Sequence, residues 1–184
     1  MAVPDLDRAE EILASYDLPD GIVRHSEGVR RVAAEAARLL RAADVPVDVG
    51  LVEAAALLHD IDKLRIRESG GEHGIVGAAE LEKMGYPELA MPVASHPVSC
   101  LLDDDRFPRG WPSVLVAIAD RHVAQEFMTI DERLDDMAGR YPEHRAGIEA
   151  ARRPAHALER ELAETLGIRS DELVERLRGA WEGT

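Results

Sequence analysis

Residues 54–63 read AAALLHDIDK. A run of alanine and leucine is a helix that buries itself, and it delivers a histidine, two aspartates and a lysine into the same interior. Ionisable groups are rarely buried unless a partner or a metal holds them. Any fold available to this chain must therefore bring compensating groups, from elsewhere in the sequence, to the end of that helix.

Candidates recur along the chain at the ends of other apolar stripes. Helical spacing places His25 with Val29, Val32 and Ala36, His59 with Val52, Ala55 and Ala56, and His73 with Val76, Gly77 and Leu81. His96 follows Val93 and Leu89, and Asp120 follows Val116 and Ala117. Any one of these, alone, reads more simply as a core histidine bonded to a carbonyl. Several together supply imidazole and carboxylate in the proportions that suit two ions of intermediate softness, Fe or Mn foremost, with Co, Zn and Ni also suited.

The remaining pattern is helical throughout. Helices are expected over about 5–16, 23–43, 49–60, 73–84, 87–96, 112–125, 143–166 and 170–181, separated by breakers such as DLPDG, DVPVD, ESGG and DDDRFPRG. Aromatics make up only 4% while alanine and leucine abound, which favours closely crossing helices and an all-α fold. At 184 residues the chain suits one domain. The net charge of −14, with arginines dispersed among acids, argues against nucleic-acid polymers and anionic membranes as partners. No apolar run nears the ~20 residues of a membrane span, and Cys100 is alone, so a cytoplasmic protein is expected.

The words RHSEGV, ALLHDIDK, EHGIVGAAEL, VASHP and AIADR, in that order, resemble those of the HD-domain metal-dependent phosphohydrolases, specifically the branch whose doublet reads HDIG or HDIA before a lysine. The resemblance covers residues 22–135, with IDERLDD similar to a segment in some members, and leaves 140–184 as a C-terminal helical extension of a single domain. It implies a helical bundle holding one ion on His25, His59, Asp60 and Asp120, and a second on Asp60, His73 and His96. It further implies that Asp60 bridges the ions and that a metal-activated water attacks phosphorus. Two alternatives stay open: some relatives hold a mixed-valence di-iron pair and use O₂, and a non-catalytic metal-containing ligand-binding module is a third reading. Asp62 departs from the pattern; it either adds charge at the site or faces solvent. The interval from Asp60 to His73 is also shorter than in the relatives that hydrolyse diadenosine tetraphosphate.

Around these ligands, Lys63 is expected one turn beyond His59 on the same helix face, reaching a phosphate oxygen. Only two of the chain's 22 basic residues are lysines, which suggests that a compact point charge is wanted there. Arg24 and Arg121 flank the first and last ligands and are candidate phosphate contacts. His122 is expected to face away from Asp120, Glu72 to be an exposed carboxylate, and His144 and His156 to lie at the surface. The implied partner is a small phosphorylated molecule, nucleotide-like, bound by a monomer or homodimer.

Overall fold

A computed structural model describes residues 3–183. Among the described residues ten α-helices follow one another: α1 Leu6–Ala14, α2 Asp20–Ala42, α3 Val49–Leu58, α4 Lys63–Ser69, α5 Ile75–Lys83, α6 Ala90–Ala94, α7 Trp111–His122, α8 Ile130–Arg140, α9 Arg145–Thr165 and α10 Ser170–Glu182. Short 3₁₀ turns at Pro87–Leu89, Val98–Leu102 and Pro142–His144 connect them. Among the described residues the sole β-type pairing is a single bridge between Val123 and Phe127. The all-α expectation holds, and no described helix is long and apolar enough to cross a membrane.

Local chemistry sets the starts. Asp5 caps α1 by accepting from the Arg8 amide, and Asp48 caps α3 by accepting from the Leu51 amide. Thr129 and Glu132 form a reciprocal capping box on α8. Packing is then built on small residues: α2 buries Ala33, Ala36 and Ala37, α3 buries Ala54, Ala55 and Ala56, and the two helices lie against each other and against α7. The late helices join the same apolar core. Leu158, Leu162, Leu173 and Leu177 are all buried in it, each worth roughly 2 kcal/mol of transfer free energy. Where α10 crosses α2, a Cβ on Gly28 would stand 2.9 Å from Val123 Cγ1 and 3.1 Å from Trp181 Nε1, so the contact needs glycine.

Three differences from the sequence reading bear on the site. Helix α3 stops at Leu58, residues 59–62 turn, and Lys63 opens a new helix, so Lys63 is not on the His59 helix face at all. His73 precedes α5, because Gly74 takes φ +84° and starts the helix at Ile75. The helices α4 and α8 fall outside the expected set.

Candidate metal centre

Five segments converge. Helix α2 brings His25, the turn after α3 brings His59 and Asp60, the turn before α5 brings His73, the residues after α6 bring His96, and α7 brings Asp120. His25 Nε2 lies 3.2 Å from His59 Nε2, 3.1 Å from Asp120 Oδ1 and 3.4 Å from Asp60 Oδ2. His59 Nε2 is 3.3 Å from the same Asp60 Oδ2 and 4.0 Å from Asp120 Oδ1. On the other side, Asp60 Oδ1 lies 3.2 Å from His73 Nε2 and 3.6 Å from His96 Nε2, and those two ring nitrogens are 3.1 Å apart. Asp60 thus turns one oxygen to each pair of histidines.

The donors fit metal ions. His59 Nδ1–H donates to the Ala56 carbonyl at 2.7 Å, His96 Nδ1–H to the Val93 carbonyl at 2.6 Å, and His73 Nδ1–H to Asp62 Oδ1 at 2.7 Å. Each of these rings therefore directs its Nε2 at the cluster. Lone pairs that close repel unless a proton or a metal cation sits between them. Ligands about 2.1 Å from an ion stand roughly 3 Å apart at right angles, which matches these separations. Asp60 Oδ1 is buried and accepts no hydrogen bond, an arrangement that is costly without a cation. His25, His59 and Asp120 are close enough to hold one ion, and His59, Asp60 and His96 form a second such group that overlaps the first at His59.

Protonation is tuned the same way. Burial alone would raise the Asp60 carboxyl, but His59 and Lys63 outweigh it and hold the group well below the usual carboxylate range. At Asp120 burial is likewise overcome, by Arg121 and His25. Burial pulls the His73 ring down, yet the neighbouring Asp60 carboxylate and the bond to Asp62 push it up to about 9. His96, with burial dominant, drops to about 4. Both carboxylates are ready ligands, and the pocket demands positive charge.

Cations edge the cluster. Lys63 is paired with Asp60 Oδ2, its side chain 30% exposed. Arg121, 3% exposed, is paired with Asp120 and donates through Nη2 to the His96 carbonyl at 3.3 Å, while its Nε and Nη1 are buried without a hydrogen-bond partner. A cavity of about 900 Å³ opens beside them, walled by Lys63, His73, His96, Asp120 and Arg121 together with apolar Ile66, Val98, Leu102, Met137 and Ile148. Arg24 is set apart: it is exposed and lines neither this cavity nor the smaller one beside His25.

Arg133 escaped the sequence reading. It is buried on α8, lies with Nη2 3.9 Å from Asp120 Oδ1, donates to Asp136 at 3.3 Å, and lines both cavities. The word IDERLDD contains it. Asp62 is fully buried against His73, so the solvent-facing alternative is overturned. His122 faces away as expected, between the Met128 carbonyl at 2.8 Å and Glu159 at 2.9 Å. Glu72 pairs with Arg106, His144 is exposed at the cavity wall, and half-buried His156 binds Asp131.

A family model described as HD domain matches residues 22–125. Among curated proteins, an uncharacterised protein of Methanocaldococcus jannaschii is 35% identical over half of this chain and 54% of its own length. A tRNA (cytidine(56)-2'-O)-methyltransferase of Thermoplasma volcanium is 25% identical over 93% of this chain and 50% of its own. A ribonuclease Y of Desulfotalea psychrophila is 27% identical over 56% of this chain and 21% of its own. The chain thus spans about half, or less, of the curated relatives it matches. No solved structure matches it.

Proposed function

The chain belongs to the HD-domain family, and from that premise we propose that it is a metal-dependent phosphohydrolase acting on a phosphate ester or anhydride of a small, nucleotide-like molecule. The ligand assignment is His25, His59, Asp60 and Asp120 for one ion and Asp60, His73 and His96 for the other, Fe or Mn foremost. When bound, such ions supply Lewis-acid polarisation of a phosphoryl oxygen and a water of lowered pKa. The single observation that carries the reading is the pair of imidazole couples at 3.2 and 3.1 Å with the Asp60 carboxylate between them, one oxygen toward each couple and its Oδ1 without a hydrogen bond.

The chain's own groups handle the phosphate. Arg121 lines the cavity, and its Nε and Nη1 are N–H donors buried without a partner, which leaves its guanidinium with charge and donors to spare for a phosphoryl group. Lys63 stands at the same wall and adds a point charge, and Arg133 a third cation. Charge developing on the transferred phosphoryl group is met by donors already in place. The cavity is larger than phosphate alone and its apolar lining leaves room for an organic group. A chain of net charge −14 suits a small ligand better than a polymer, although relatives named ribonuclease Y make a short phosphodiester worth assaying.

The test is phosphate release from mono-, di- and cyclic nucleotides and a short RNA, with Mn, Fe or Co supplied. Turnover that requires metal and is lost in Asp60→Ala supports the reading. Two ions per chain without turnover of any phosphate ester refutes it, and O₂ uptake with iron but not manganese would assign the site to oxidative chemistry.

A further inference from the structure

Asp62 is the one acid at the centre that the hydrolytic chemistry leaves without a task. It is fully buried. Its Oδ2 accepts the amides of Gly74 at 2.7 Å and Gly77 at 3.0 Å, and its Oδ1 accepts His73 Nδ1–H at 2.7 Å. Gly74 is the N-cap of α5 and has no side chain with which to cap. Asp62 supplies that cap from another segment, and the two amide bonds clamp its carboxylate. The clamp leaves the second oxygen aimed at the imidazole.

His73 needs this most. Its side chain is 27% exposed, against 7% for His25, 0% for His59 and 1% for His96, and it stands on a turn outside any helix. Backbone carbonyls orient His59 and His96, whereas a charged, stronger acceptor orients His73. The two ion positions are also unequal. One is framed by four buried side chains, the other by Asp60, His96 and this partly exposed ring.

We propose that Asp62 is the positioning residue of the outer metal site: it fixes the His73 ring with Nε2 directed at Asp60 Oδ1, so that the outer ion is retained only with Asp62 in place, while the inner ion on His25, His59, Asp60 and Asp120 is independent of it. This inference rests on the two-ion reading. In Asp62→Asn the amide nitrogen can donate to His73 Nδ1 and drive the ring to the tautomer whose Nε2 carries hydrogen and cannot ligate. Loss of such an outer partner weakens metal affinity about 10–100-fold.

The experiment is manganese titration with metal analysis and electron paramagnetic resonance on the wild type, Asp62→Asn, His73→Ala and the double variant. Expected are two ions and a spin-coupled signal in the wild type, and one ion with an isolated Mn signal in each variant, the double variant losing no more than the singles. Two equally tight ions in Asp62→Asn refute the inference and leave the two-ion reading intact. Loss of both ions in a folded Asp62→Asn also refutes it. One ion in the wild type refutes both. Should Asp62→Asn not fold, long-range ¹H–¹⁵N spectra of the zinc-loaded wild type decide: hydrogen on His73 Nδ1 is expected, and hydrogen on Nε2 overturns the inference.

Discussion

Gly74→Ala is the most informative single perturbation of this centre. The residue takes φ +84°, and a Cβ there would stand 2.9 Å from the Val93 carbonyl oxygen, 3.2 Å from that of Ala94 and 3.1 Å from Pro97 Cγ. Positive φ costs an L-residue about 1–2 kcal/mol, and a contact that backbone must yield to adds about 1–3 kcal/mol. The expected loss is therefore about 3 kcal/mol. In a chain of this size each kcal/mol lowers Tm by roughly 2–4 °C, giving a drop of about 10 °C. Gly85 supplies the control: at φ +91° it meets nothing within 4 Å, so Gly85→Ala carries the torsional cost alone, about 1–2 kcal/mol. Because Val93 O also receives His96 Nδ1–H, the clash should disturb His73 and His96 together and reduce bound metal. Thermal melts of both variants, with metal analysis, check this. Equal Tm losses for the two, with full metal in Gly74→Ala, would refute the reasoning.

Acidification should destabilise the metal-free protein in two stages. His96 falls from 6.5 to about 4 on folding, so the unfolded chain binds the proton first and stability is lost as pH drops through that interval, by about 3 kcal/mol at most. Asp60, Asp62 and Asp120, all depressed, withdraw their contribution only below pH 4, as their own folded-state values are reached; urea melts from pH 7 to 3 would show both, and a flat profile from 6.5 to 4 would count against the buried His96. Arg133→Ala should raise KM about 10–100-fold, the worth of one charge-assisted bond, with metal content unchanged and partial recovery in Arg133→Lys; an unaltered KM removes Arg133 from the substrate. Chelation should lower Tm by roughly 5–10 °C, since an ion at 100 times its Kd adds about 2.7 kcal/mol, and a chelator-insensitive melt would contradict a metal-bound centre.

The sequence displayed the clustered histidines and Asp120 because each ends an apolar stripe, and a stripe is a local property. Helix α4 was hidden by the doublet itself, since AAALLHDIDK runs on without a breaker and only the turn at residues 59–62 separates the two helices. The start of α8 was announced by Thr129 and Glu132, three apart in the capping-box pattern, but its low apolar content offers no strong stripe. Arg133 was illegible as a site residue, and Asp62 was left between the site and solvent, for a different reason. What each does depends on which segment folds over it, Asp120 for one and the Gly74 amide for the other, and no spacing along the chain encodes that. Lys63 reached the site by another route than helical periodicity suggested, through a turn and a fresh helix.

The delivery of the clustered histidines and aspartates by five separate segments has a consequence for how the molecule comes to exist. His25 and Asp120 meet only after everything between them has been threaded into place, and closing so long a loop is entropically dear. No short fragment presents a full coordination sphere, so an ion cannot template the nascent polymer as it does in small zinc modules. The aliphatic bundle must collapse first on its own hydrophobic drive, and capture of a cation by this cluster would close maturation and not nucleate it.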